Sequence, residues 1–324
     1  MTKLSARLLG ASSVKSKTAT CLVVGANGFV GSHIVDGLAA RGFRVIAFDR
    51  YSSAQKFISS EMITKVKGDI LSETELASSV KGVDYVFYSF SATTPFASED
   101  NPYSDIKLNL EHSVSFFDAC SKEGVKGFYY ISSGGVIYGA TAEHIDAMET
   151  DLPLPISPYG ICKLAAENYL SYFLRKRNMK YVVFRLTNPY GPRQMLKNHQ
   201  GVIPAFIKKI EEGGVITIYG SGDASRDYIF ITDAVEMMLN VFESENDNVV
   251  YNIGCGKQTS LRQIVHNLEL VYDRHLEVNY VDAPKTFLSK SRVSIERYCQ
   301  EFGQPELLDM TTGLKKTLDY IRSH

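Results

Sequence analysis

A doubly wound parallel α/β sheet with a smaller α/β C-terminal lobe is predicted by three features of the 324-residue sequence. Short apolar runs rich in β-branched and aromatic residues alternate with longer amphipathic ones from Thr20 to Leu186. Those runs carry apolar residues on both faces, as strands covered by helices on each side require. Beyond Asn188 the rhythm gives way to turn-rich polar stretches, the mark of a less regular second lobe.

The elements follow in order. "CLVVG" reads as a buried strand, and Phe29 to Ala40 as the helix after it. Arg44–Phe48 and Met62–Lys67 are the second and third strands, and Val83–Phe90 and Gly127–Ser132 the fourth and fifth. Pro102–Lys122 spans a long helix between the last two. Another helix starts near Pro158, a residue favoured in the first turn, and Tyr181–Leu186 is the next strand. "VITIYG" and "VVYNIG" are strands of the second lobe, among the turns of "NPYGPRQ" and "GSGDASRDY". No internal repeat is present.

Composition excludes several functions. With 44% hydrophobic residues, 22% charged and a net charge of −1, there is no electrostatic reason to expect nucleic acid or an anionic membrane as partner. No apolar run approaches the roughly 20 residues of a membrane span. The five cysteines are an odd number without a C-x-x-C pair, so they read as reduced thiols of a cytoplasmic protein, with neither disulfides nor a metal site. Residues 1–18 form an N-terminal extension, Ser-rich and acid-free, which fits a loose tail or an organelle transit peptide.

"GANGFVG" places Gly25, Gly28 and Gly31 between the first strand and its helix. Glycines there allow a tight turn, close approach to a pyrophosphate and close helix–strand packing. The helix N-terminus then presents unpaired N–H groups to the anion, with Asn27, Phe29 and Val30 among the candidate cofactor-binding residues. A glycine-rich turn without a ligand would look the same, but Asp49 closes the second strand about twenty residues on, where a carboxylate meets the adenosine ribose. That charge repels a 2′-phosphate and favours NAD over NADP, although Arg50 beside it could accept one. Asp69, with Ile70 after it in "KGDI", could bond the adenine amino group or cap the next helix. The expected organisation is a Rossmann-type NAD-binding domain over 19–187 and mainly a substrate-binding lobe over 188–324, the chain free to recross between them.

"SPYGICK" sets Tyr159 and Lys163 four residues apart, a spacing shared by Tyr103 with Lys107 and Tyr172 with Lys176. Position separates them. Tyr159 lies in the first turn of its helix, which projects toward the carboxyl edge of the sheet, where open α/β folds bind ligands. Lys163 lies one turn on, on the same face. Tyr103 enters a different helix, and Tyr172 lies more than three turns down its own. A phenol is a poor base at neutral pH, but an ammonium, a helix N-terminus and an oxidised nicotinamide would each favour the phenolate.

The order of G-x-x-G-x-x-G, "GDI", "SSGGVIYG", "SPYGICK", "NPYGPRQ" and "GSGDASRDY" resembles extended short-chain dehydrogenases/reductases, and within them the nucleotide-sugar epimerases similar to UDP-glucose 4-epimerase. The resemblance runs from about Thr20 to the C-terminus. It implies NAD as cofactor, Tyr159 as the acid–base group, and Lys163 bonding the nicotinamide ribose. It also implies a hydroxyl from "SSGGVIYG" on the reacting oxygen. Counting back from Tyr138 gives Gly134; reading the second glycine as an insertion gives Ser133, with Ser132 the alternative. Asn188 and Arg226 resemble the asparagine and arginine that grip the substrate diphosphate, and a guanidinium fork suits that task. As plain residues, Asn188 would be a turn former and Arg226 an ion-pair partner of Asp227. Asn109 matches an asparagine near the cofactor, and Ile106–Phe117 with Ala165–Leu174 resemble the helices that pair in homodimers.

The chain also departs from the pattern. "VNYVDAP" holds Asn279 where an arginine clamp is usual, leaving Arg292 as the substitute. "YSFSATTP" replaces a histidine and small apolar residues, and His112 replaces a glycine. The leading expectation is an NAD-dependent nucleotide-sugar 4-epimerase for a UDP-hexose or UDP-N-acetylhexosamine. Its rival is an NAD(P)H-dependent reductase of a nucleotide-linked 4-keto-6-deoxy sugar. A dehydratase fits less well, because Gly134 and Gly135 stand where its acidic pair belongs, and a dinucleotide-binding regulator would not need the triad.

Overall fold

The computed structural model describes residues 15–139, 146–194, 201–244, 246–282 and 290–324, so most of the N-terminal extension lies outside the described residues. In chain order the first half runs β1 (Thr20–Val24), α1 (Phe29–Ala40), β2 (Arg44–Asp49), β3 (Ile63–Lys67), α2 (Glu73–Ser78), β4 (Tyr85–Tyr88), α3 (Pro95–Asp100) and α4 (Pro102–Asp105). A π-helical turn, Ile106–Glu111, leads into α5 (His112–Glu123), β5 (Gly127–Ser133), α6 (Pro158–Arg177) and β6 (Tyr181–Leu186). The second half has β7 (Asn188–Tyr190), α7 (Val202–Glu211), β8 (Ile216–Tyr219), β9 (Ser225–Arg226), β10 (Tyr228–Phe230), α8 (Ile231–Glu243) and β11 (Val249–Ile253). It closes with β12 (Thr259–Ser260), α9 (Leu261–Tyr272), β13 (Val278–Val281), β14 (Lys290–Ser291), α10 (Glu296–Phe302) and α11 (Met310–Ser323).

Seven parallel strands form the main sheet in the order β11-β6-β5-β4-β1-β2-β3. The winding reverses between β1 and β4, which opens a crevice at their carboxyl ends, the place where such sheets bind ligands. One face is filled by an aromatic stack. Phe87 lies on Tyr129 at 4.8 Å, and Phe242 of α8 meets each of them edge-on at 5.1 Å. Gly37 of α1 lets α8 come close, since a Cβ there would sit 2.5 Å from Leu239. The other face packs Tyr88, Phe116, Phe117 and Phe128 under α5 and α6.

Two expectations about elements change. "VVYNIG" is not a strand of the second lobe: as β11 it extends the main sheet beside β6. Its buried Tyr251 and Ile253 find the large core there, which a small lobe could not offer. The helix from Pro102 is interrupted by the π-turn and ends at Glu123, where Gly124 takes the left-handed φ of 73°. The second lobe gathers α7, α9 and α11 around Ile207, Ile218, Ile264, Leu268 and Leu314, with pairs β7–β10, β8–β13 and β9 between β12 and β14. Among the described residues no helix is long and apolar enough to cross a membrane.

A buried polar network ties α6, β5, β6 and β11 together. Arg185 Nη2 donates to Glu167 Oε2 at 2.8 Å, and Ser132 Oγ donates to Glu167 Oε1 at 2.5 Å. Arg185 Nη1 donates to the Tyr138 hydroxyl at 2.8 Å, which donates to Asn252 Oδ1 at 2.7 Å. Each member satisfies the next, so the charges are tolerated out of water. Glu167→Gln strands the guanidinium and should cost about 3–5 kcal/mol in chemical denaturation. The double variant Glu167→Leu/Arg185→Met should recover much of that loss. A single variant within about 0.5 kcal/mol of wild type would show the network to be inert.

Candidate active site

The glycine loop crosses the crevice between β1 and α1. Gly25 takes φ +80°, a conformation that side chains resist. At Gly31 a Cβ would strike the Gly25 carbonyl and stand 2.7 Å from Ser89 Oγ, so only a bare Cα lets the helix seat against the strand. No side chain caps α1, whose first turn (Phe29, Val30 and Gly31) therefore keeps its N–H groups for an anion. Asp49 ends β2 and accepts from Asn27 N at 3.0 Å and Tyr51 N at 3.1 Å, which fixes the carboxylate beside the loop. Arg50 next to it is exposed. The Asn27 side chain points the other way, donating to the Ala54 carbonyl at 3.0 Å and accepting from Lys56 N at 2.9 Å. Asp69 Oδ1 accepts from Leu71 N at 3.0 Å in the turn before α2, and Ile70 is buried in the core.

Tyr159 and Lys163 come from the first two turns of α6. Ser157 caps that helix by accepting from Gly160 N at 3.1 Å, and Pro158 follows. Lys163 is buried, and its Nζ donates to the Ile131 carbonyl of β5 at 3.1 Å, with the Tyr159 ring centre 5.6 Å away. Burial pulls the ammonium down to about 8, against the favourable charges of Glu167 and Asp105. Burial pushes the Tyr159 phenol up to about 12; a hydrogen bond with Ser91 lowers it and Asp105 raises it. The expectation that a neighbouring ammonium makes this phenol acidic is thus not met by the chain alone. Desolvation dominates, Asp105 adds to it, and the ammonium is turned toward a carbonyl.

Ser132 and Ser133 separate clearly. Ser132 Oγ is held by Glu167 in the buried network. Gly134 continues the pairing of β5, its N–H donating to the Leu186 carbonyl at 2.8 Å, and a Cβ there would lie 2.7 Å from the Arg185 carbonyl. A side chain at Gly134 therefore has no room. A Cβ at Gly135 would stand 4.0 Å from Ser133 Oγ and 3.8 Å from the Asn188 amide, so these two polar groups both lie beside Gly135. Asn188 Nδ2 donates to the Asp227 carbonyl at 2.9 Å, next to Arg226 in the chain. The Asp227 carboxylate accepts from Cys255 N at 2.8 Å and Gly256 N at 2.9 Å, while Arg226 donates to the Ser225 carbonyl and is held below the usual guanidinium range by burial. Arg292 pairs with Asp146.

Asn109 sits on the π-turn, donating to Thr93 Oγ1 and Asp105 Oδ1 at 2.6 Å each and accepting from Ala92 N at 2.7 Å. The sequence reading missed Ser91, the partner of Tyr159, as well as Asp105 and Glu167. Asp105 and Asn109 do lie four residues apart, a spacing that could have signalled their contact.

The comparisons agree with this geometry. Residues 21–254 match the NAD dependent epimerase/dehydratase family. The chain belongs to that family. A dTDP-4-dehydro-6-deoxyglucose reductase of Escherichia coli is 29% identical over 313 residues, 93% of this chain and 97% of that protein. A UDP-glucose 4-epimerase of Mycolicibacterium smegmatis is 29% identical over 310 residues, 93% of this chain and 98% of that one. The crystal structure of a UDP-glucose 4-epimerase with UDP-glucose from Thermotoga maritima superposes with a TM-score of 0.87 at 33% identity, covering 94% of this chain and 99% of that one. The uncapped first turn of α1, the bare Gly31 and the fixed Asp49 fit the family's cofactor, NAD.

Gly31→Ala should destabilise the fold by about 1–3 kcal/mol through overpacking and empty the protein of dinucleotide. Thermal unfolding and assay of nucleotide released on denaturation check both. A Gly31→Ala protein carrying as much NAD as wild type would contradict this view of the loop.

Proposed function

We propose that the chain is a nucleotide-sugar 4-epimerase acting on a UDP-hexose or UDP-N-acetylhexosamine, by transient oxidation at C4. The observation that carries this reading is the placement of Tyr159 and Lys163 together at the carboxyl end of β5, in a sheet whose glycine loop fits a dinucleotide. The likeness to the Thermotoga epimerase, over nearly the whole of both chains, supports the same class.

Bound NAD supplies reversible storage of a hydride. Gly25, Gly28, Gly31 and the first turn of α1 would hold its pyrophosphate, and Asp49 its adenosine ribose, with Asp69, Ile70 and Asn109 nearby. Lys163 would turn from the Ile131 carbonyl to the nicotinamide ribose. Tyr159 takes the proton of the C4 hydroxyl, and Ser133 Oγ holds the same oxygen. Burial keeps Tyr159 a neutral phenol until positive charge arrives beside it, which ties proton abstraction to a loaded site. Asn188 and Arg226 would grip the diphosphate, leaving the hexose free to present either face. Tyr159 then gives the proton back.

The rival reading is one-way reduction of a nucleotide-linked 4-keto-6-deoxy sugar, favoured by the likeness to the Escherichia coli reductase. A dehydratase is disfavoured on geometry, because an acid at Gly134 would collide with the Arg185 carbonyl. A homodimer through the π-turn, α5 and α6 is supported by Ile106, Tyr169 and Tyr172, which are 52%, 42% and 42% exposed.

Denaturing the purified protein should release stoichiometric NAD, and UDP-hexoses should interconvert without added cofactor. Tyr159→Phe should lower turnover by about a thousandfold or more and leave that NAD in place. Consumption of NAD(P)H only with a 4-keto sugar would move the assignment to the reductase. Loss of NAD from Tyr159→Phe would count against the role given to the phenol.

A further inference from the structure

Asp105 is fully buried at the end of α4, where the helix widens into its π-turn. Its Oδ1 accepts from Thr93 Oγ1 and from Asn109 Nδ2 at 2.6 Å. Its Oδ2 is buried without a hydrogen-bond partner among the described residues. The carboxyl lines a cavity about the size of one water molecule together with Asn109, Tyr130, Tyr159, Cys162 and Lys163. A half-satisfied buried carboxylate is expensive, so a partner is called for on the side of Oδ2. The one cation among those lining residues is Lys163. Nothing in the family resemblance gives Asp105 a role.

We propose that Asp105 is the positioning residue of the Tyr159–Lys163 pair, its Oδ2 reaching the Lys163 ammonium through one buried water and holding it charged. The proposal rests on the reading of Tyr159 and Lys163 as the acid–base pair, and deepens it. Every neighbour of the pair enters the balance. Lys163 faces Glu167 from its own helix and Asp105 from α4. Tyr159 faces Asp105 and the Ser91 hydroxyl, with neutral Tyr130 and Cys162 completing the surround. A negative charge here acts on both members in one direction. It favours the ammonium, which burial opposes, and disfavours the phenolate. Asp105 thus keeps Lys163 charged through neutral pH and sets Tyr159 to a higher pH than the site would otherwise give it.

Removing the charge should therefore move both titrations downward together. Asp105→Asn keeps an acceptor for Thr93 and Asn109 and removes the charge, with an amide NH2 group in place of Oδ2. In the purified holoenzyme, the ultraviolet phenolate signal that Tyr159→Phe abolishes should appear about one pH unit lower in Asp105→Asn than in wild type. Both limbs of the pH profile of epimerisation should shift the same way. Asp105→Ala loses the hydrogen bonds as well and should unfold more readily, yet it should show an equal shift. A fall in rate at every pH, with the limbs and the phenolate signal unmoved, would leave Asp105 a packing residue and overturn the proposal. So would shifts that track the loss of stability instead of the loss of charge. The phenolate titration needs no sugar, so it decides the role of Asp105 even if epimerisation itself is not found.

Discussion

Everything at the site depends on an ammonium held out of water. Lys163 is buried, and its Nζ reaches the Ile131 carbonyl one residue past the last β5 residue that pairs with β4. A charge in that position must be compensated, and the structure does so from two sides. Glu167 lies one turn on along α6 and is itself anchored by Arg185; Asp105 comes from the π-turn helix. The large aromatic core fixes the strands, the strands fix the carbonyl, and the carbonyl fixes the lysine beside Tyr159. The proposed catalytic pair is thus a property of the sheet edge, more than of the seven residues that contain it.

How much of this was legible in the sequence follows from which contacts are local. The glycine loop could be read because strand, turn and helix are contiguous, and because Gly25 and Gly31 answer demands made within that one turn. Tyr159 could be chosen over Tyr172 because the start of α6 is marked by Ser157 and Pro158, and over Tyr103, which follows a similar cap of Asn101 and Pro102, because Tyr103 lies ahead of β5 in the chain and Tyr159 after it. The seventh strand was misplaced because "VVYNIG" looks the same whether it pairs with β6 or with a strand of the second lobe; only long-range packing decides. Ser91 and Asp105 were missed for the same reason. Both reach Tyr159 from segments over fifty residues away in the chain. The desolvation that dominates at Tyr159 in the chain alone comes from distant packing and has no local sequence signal.

The "SSGGVIYG" stretch shows how two glycines can be structural and permissive at once. Gly134 is bare because β6 lies against it, and Gly135 adjoins both Ser133 and Asn188. Ser132, which sequence alone could not separate from its neighbour, belongs to the buried network beneath the site. One serine therefore supports the strand, and the next lies half-buried beside Gly135. The same network passes through Tyr138 to Asn252, so β11 is tied by hydrogen bonds to the residues beneath the site.

The central claim is spatial: Tyr159, Lys163 and Ser133 converge on one sugar carbon at the mouth of the dinucleotide crevice. A crystal structure with NAD and a UDP-hexose tests it most directly. The account predicts the Tyr159 and Ser133 hydroxyls both within hydrogen-bond distance of the C4 oxygen, and Lys163 Nζ moved from the Ile131 carbonyl onto the nicotinamide ribose. A complex in which the sugar lies beyond reach of Tyr159, or Lys163 stays on the carbonyl while the dinucleotide is bound, would contradict it.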